Sequence, residues 1–193
     1  MAEFSNMLAK PMKKERGVSR PPSSALRIGG LRRAGKGAKR QSSQRRREKP
    51  IQSKFKGVGT RRIEAGEGEL WAETVAQCFA EHMPITQELM DIMSCWARSP
   101  MAVCYFGYVD GELAGGGAVA IHRGVALFGG AGTAPKFRGR GLQQALILAR
   151  LEHAAEAGCD LAMTVTLPGS VSQRNCERHG FRVAYTRAKF MHD

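Results

Sequence analysis

The segment from Gly129 to Arg150 limits what this chain can become more than any other. Just before it, Val125-Ala126-Leu127-Phe128 is an apolar run short enough for a buried strand. Pro135 then stops ladder pairing and drives Ala134 into an extended conformation. From Leu142 onward Ala, Leu, Gln and Arg dominate, all good helix formers. Arg138-Gly139-Arg140-Gly141 therefore falls where a strand gives way to the first turn of a helix. The first N–H groups of a helix lack partners, and its dipole is positive there. Gly139 and Gly141 remove side chains that would keep a ligand off that backbone, and Arg138 and Arg140 add charge beside it. Such a turn suits a phosphate or pyrophosphate.

Around this segment the hydrophobic pattern predicts a mixed α/β domain. A first strand is expected over 58–64. A helix follows over 69–81, with Leu70, Val75, Cys78 and Phe79 near one face, and a second over 86–96, capped by Thr86. Residues 101–109 are apolar on both faces, as in a central strand. Asp110-Gly111 signals a hairpin, and Arg123-Gly124 turns again into 125–133, so three antiparallel strands form a meander. Paired glycines at Gly129-Gly130 signal a bulge or the close approach of a ligand. The helix over 139–157 is apolar over a broad arc and stops at Gly158. A strand over 161–167, a short helix to His179 and a strand over 181–190 complete the order β-α-α-β-β-β-α-β-α-β.

Charge divides the chain in two. The net charge of +13 arises entirely in residues 1–56, where 17 Lys and Arg stand against 3 Asp and Glu. That segment is poor in aromatic and β-branched residues and is expected to be a basic tail without fixed structure. Nonspecific contact with nucleic acid is one role open to it, and a plain solvated extension is the other. Gly30 to Gly37 approaches a nucleotide-binding phosphate loop, but Gly37 stands where the magnesium-binding hydroxyl belongs, and no strand or helix flanks it. The predicted domain is thus 57–193. Five cysteines without a C-x-x-C pair argue for free thiols in a reducing compartment, and the expected location is the cytoplasm. No run of about 18 apolar residues occurs, so no membrane contact is expected. The Arg- and Ser-rich start leaves an organelle transit peptide as the alternative.

With these elements in place, the chain resembles the GNAT-type N-acetyltransferase superfamily over roughly 57–193. The resemblance is carried by Arg138-Gly139-Arg140-Gly141-Leu142-Gln143, similar to that family's [QR]-x-x-G-x-[GA] signature. It is carried again by Ser172 to Phe181, similar to its closing helix and terminal Gly-Phe. Gln143 departs from the signature; a longer side chain there can point outward. The resemblance implies a mostly antiparallel central sheet flanked by helices, with acetyl-CoA as cosubstrate and no metal. It also implies that amides of Arg138, Gly139, Arg140, Gly141, Leu142 and Gln143 hold the pyrophosphate. Backbone of Ala131, Gly132 and Thr133 would pair with the pantetheine arm. The chain ends soon after Phe190, so the family's last hairpin strand looks short or absent, leaving an edge open to pairing in a homodimer.

Transfer to an amine requires a base, because an amine of the lysine type has a pKa of about 10.4. No carboxylate lies between Val125 and Gly141, leaving Glu81, His82, Glu88 and His122 as candidates by type. The tyrosine that serves as general acid in many relatives is replaced here by Cys176, and Tyr185 is the fallback. Three functions fit: acetyl transfer to a small-molecule or peptide amine, a coenzyme-binding module with little catalysis, and a nucleic-acid- or ribosome-associated protein acting through its basic tail.

Overall fold

A computed structural model describes residues 2–9, 51–52, 55–80 and 84–189. Their elements are β1 (Ala2–Ala9), β2 (Ile51–Gln52), β3 (Val58–Arg62), α1 (Gly68–Gln77), α2 (Gln87–Arg98), β4 (Ala102–Val109), β5 (Glu112–His122) and β6 (Val125–Thr133). A 3-10 turn over Pro135–Phe137 leads to α3 (Leu142–Glu156), β7 (Leu161–Thr166), α4 (Val171–Arg178) and β8 (Phe181–Lys189). The strands form one eight-stranded sheet in the order β2-β3-β4-β5-β6-β7-β1-β8. Among the described residues its ladders are antiparallel except for β6 with β7. The helices flank a mixed, mostly antiparallel sheet, as the sequence predicts.

Local chemistry explains most boundaries. Thr86 accepts a hydrogen bond from Leu89 N and Ser170 one from Gln173 N, which caps α2 and α4. The two-residue turns Asp110-Gly111 and Arg123-Gly124 have positive φ throughout, which matches the twist of the strands they join. Along β4 the side chains alternate between two cores. Cys104 and Phe106 pack with Trp71, Val75 and Met93 of α1 and α2, whereas Tyr105 and Val109 pack with Leu142, Leu146 and Ala149 of α3. Trp71 is fully buried, and its indole N–H donates to Tyr105 O at 3.0 Å. That bond ties α1 to the centre of the sheet and satisfies a donor that burial would otherwise penalise.

The sheet departs from expectation at its amino-terminal end. Residues 2–9, placed in an unstructured tail by their sequence, lie between β7 and β8, antiparallel to both. Ser5 is in register with Thr166 on one side and Thr186 on the other. The edge expected to await a second subunit is therefore filled by this chain's own β1. Residues 51–52, also assigned to the tail, pair with β3 as a short edge strand. The rest of the expected tail, residues 1, 10–50 and 53–54, lies outside the described residues, as does any contact it makes with nucleic acid. No helix among the described residues is long and apolar enough to cross a membrane.

Candidate active site

The centre of the molecule is shaped by a failure of pairing. The parallel ladder of β6 with β7 runs from Val125↔Leu161 to Phe128↔Thr164 and goes no further. At its end Thr164 Oγ1 donates to Phe128 O at 3.3 Å, a side chain closing the last rung. Beyond it Gly129–Thr133 has no rung with β7, whose Val165 and Thr166 pair only with β1 on its other edge among the described residues. The slip between Gly116 and Ala118, where three steps of β6 face two of β5, is the bulge that the paired glycines signal.

The other half of that signal, ligand approach at Gly129 and Gly130, needs correction. Trp96 fills the space a side chain at Gly129 would occupy, and Trp71 stands 2.8 Å from a Cβ built on Gly130. These glycines admit tryptophans of α1 and α2, so the part of β6 that borders open space begins after them, at Ala131.

There a cleft of about 550 Å³ opens. Ala131, Gly132 and Thr133 form its β6 wall, and Arg138, Gly139, Gly141, Leu142 and Gln143 its loop and helix start. Eight of the nine residues expected at the coenzyme are thus brought together. Arg140 is not among them: its Nη2 meets Asp110 Oδ2 at 2.6 Å, which draws the side chain to the β4–β5 turn. Gly141 has φ 89°, the left-handed conformation glycine alone adopts at little cost, and a Cβ there would stand 2.7 Å from the Phe55 ring. Unlike α2 and α4, α3 starts with no side-chain cap, so the first N–H groups of a helix begin against open space. Among the described residues lining the cleft there are two arginines, Arg138 and Arg178, and no carboxylate.

Gln143 does not point outward. Its Nε2 donates to Thr133 Oγ1 at 3.0 Å across the mouth of the cleft, joining the helix start to the strand end. Arg138 fixes the same junction from beneath, its Nε donating to Thr133 O at 3.3 Å and its Nη2 to Cys78 O at 3.4 Å. Breaking the lighter of these ties has a modest expected effect. Gln143→Ala should weaken coenzyme binding about threefold to tenfold, the value of one neutral hydrogen bond, with little change in melting temperature.

The catalytic candidates fare differently. Cys176 is 5% exposed and packs into the α3 core rather than the cleft. Burial pushes its thiol up, with Arg150 opposing in part. Tyr185 is 55% exposed on β8 and does not line the cleft. His122 and Glu88 are exposed and stand outside it as well; the Thr86 hydroxyl holds the Glu88 carboxyl below its usual range. Glu81 and His82 lie outside the described residues. The structure brings instead Ser172, Asn175 and Arg178, spaced by three along the polar face of α4, with Cys78 and Phe79 from the end of α1. Asn175 Oδ1 accepts from Arg178 Nη1 at 2.9 Å. That i, i+3, i+6 polar stripe is visible in the sequence and was the signal for the α4 wall. The thiol of Cys78 is pushed up to about 11 by burial, so it is a neutral part of the wall.

The comparisons with known proteins agree with this geometry. Residues 68–181 match the acetyltransferase (GNAT) family. The chain belongs to that family. A putative GNAT acetyltransferase from Novosphingobium aromaticivorans superposes with a TM-score of 0.54 at 17% identity, over 96% of this chain and 61% of that one. A GCN5-related N-acetyltransferase from Sphaerobacter thermophilus gives 0.59 at 14% identity, over 96% and 49%. The aminoglycoside N-acetyltransferase AAC(6')-Iy in complex with CoA gives 0.54 at 20% identity, over 70% and 94%. At these identities the likeness is one of fold, and this chain spans under two thirds of the length of the first two proteins. No curated protein matches the sequence.

Proposed function

We propose that the cleft binds acetyl-CoA and that the protein transfers its acetyl group to the amine of a small molecule or peptide. The observation that carries this reading is the parting of β6 from β7 beside an uncapped helix start. A strand end that has left its β7 neighbour adjoins the start of α3, and no described carboxylate lines the cleft between them. In this reading the amides from Arg138 to Gln143 hold the pyrophosphate, helped by the Arg138 guanidinium. The edge of Ala131 and Gly132 that has left β7 pairs with the amide-bearing arm, next to the Thr133 carbonyl that Arg138 holds, leaving an N–H near Gly132 for the carbonyl oxygen as it gains charge. Acetyl-CoA supplies the activated acyl group, and the chain supplies position. No described side chain in the cleft is suited to take the proton from the amine, which leaves through water.

That last point favours a second reading, a coenzyme-binding module with little catalysis, because neither Cys176 nor Tyr185 reaches the cleft. Two measurements on the full chain separate the readings. Calorimetric titration with acetyl-CoA is expected to show binding in the micromolar range, about 8 kcal/mol. Release of free thiol in the presence of a panel of amines then distinguishes transfer from binding alone. Absence of heat at millimolar acetyl-CoA sinks both.

A further inference from the structure

Arg150, midway along α3, is 3% exposed and has no described carboxylate beside it. Its Nε donates to Leu146 O at 2.9 Å and its Nη1 to Ala118 O at 3.3 Å. Its guanidinium carbon lies 4.6 Å from the centre of the Phe128 ring. The titratable groups facing it are Cys176 from α4 and Tyr105 from β4. Burial lowers its pKa to about 10, so it remains a cation at neutral pH. Two carbonyls and a ring offset part of the desolvation, but a buried cation without an anion costs several kcal/mol. An apolar residue of similar length would pack there more cheaply.

Its location suggests what the charge is for. Ala118 follows the slip in the β5–β6 ladder, and Phe128 is the last residue of β6 paired with β7. A Cβ built on Gly117 would stand 3.2 Å from the Arg150 guanidinium carbon and 3.5 Å from Ala131 Cβ, and Ala131 lines the cleft. The cation lies behind the bulge, next to where the strands part.

We propose that Arg150 is a positioning residue for the thioester: it holds the β5–β6 bulge from behind and supplies the positive charge against which the coenzyme A sulfur departs. The inference rests on the cleft holding acetyl-CoA. In the transfer the acetyl carbon gains its bond to nitrogen and loses its bond to sulfur. The sulfur keeps that electron pair as a thiolate, and the amine proton goes to water. A fixed cation in a low-dielectric setting favours the thiolate without a side-chain acid, which matches the absence of Cys176 and Tyr185 from the cleft.

The test compares coenzyme A with acetyl-CoA by calorimetry on the full chain between about pH 6.5 and 8.5, where a thiol beside a cation ionises. Cys176, raised by burial, stays protonated across that range. The wild-type preference for coenzyme A over acetyl-CoA is expected to rise about tenfold with pH. In Arg150→Met both ligands should bind more weakly as the bulge loses its support, but the preference between them should stay flat with pH. Arg150→Lys, which keeps a cation, should restore part of the slope. A purely structural arginine would differ in the slope: Arg150→Met would weaken both ligands and yet keep the rise of the preference with pH, overturning the proposal. Should Arg150→Met fail to fold, a flat preference in the wild type overturns it just as directly. Binding of neither ligand overturns the acetyl-CoA reading and this inference with it, whereas binding with a flat preference overturns this inference alone.

Discussion

Gly141→Glu is expected to weaken acetyl-CoA binding at least a hundredfold, roughly 2.7 kcal/mol. Three effects add. The residue has φ 89°, and a non-glycine in that conformation costs about 1–2 kcal/mol. A Cβ would press on the Phe55 ring at 2.7 Å, so the turn must shift as well. The new carboxylate would also sit among the free N–H groups at the start of α3, capping them from within and repelling the pyrophosphate proposed to lie there. Gly139→Ala provides the control. Its φ of 76° is equally unfavourable, but nothing lies within 4 Å of a Cβ there, so only strain is incurred. Less than a tenfold loss is expected from it, about 1 kcal/mol. Calorimetry measures both, and a Gly141→Glu protein that binds as well as the wild type would remove the pyrophosphate site from this loop.

Deleting residues 2–9 is expected to be the most damaging change to stability. Among the described residues β1 is the one ladder neighbour of β8 and joins it to β7. Eight residues of β1 are in register with β8 and five with β7. At about 0.5–1.5 kcal/mol per backbone hydrogen bond, losing two ladders removes several kcal/mol, a large part of a typical domain's total. The edge of β7 would then be bare and prone to pair with other chains. Thermal unfolding should show a fall of more than about 10 °C. Light scattering should show association, and a synthetic peptide of residues 2–9 should reverse part of each. An unchanged melting temperature would mean that β1 does not hold the sheet together.

What was legible in the sequence was local. Thr86 could be read as a cap because a cap needs only the next three residues, and Asp110-Gly111 as a turn for the same reason. The two apolar faces of 101–109 and the glycines of the 138–141 loop pointed to the layers and the cleft. What was missed depends on partners far away in the chain. Nothing in residues 2–9 announces a ladder with 162–166 and 181–189. Gly129 and Gly130 look free to receive a ligand until Trp96 and Trp71 are placed over them. Cys176 and Asn175 are adjacent in sequence, yet one residue turns a helix by about 100°, so one faces the core and the other the cleft. Arg140 follows the same pattern, since the Asp110 that claims it lies thirty residues earlier.

The position of β1 also orders events in time. The earliest of these strands to leave the ribosome can settle only after the last, Phe181–Lys189, has been made, because it is wedged between that strand and β7. Contacts so distant along the chain form slowly. For most of synthesis the emerging polypeptide therefore carries an open seam, and the act that seals it falls to a strand made before all the others described.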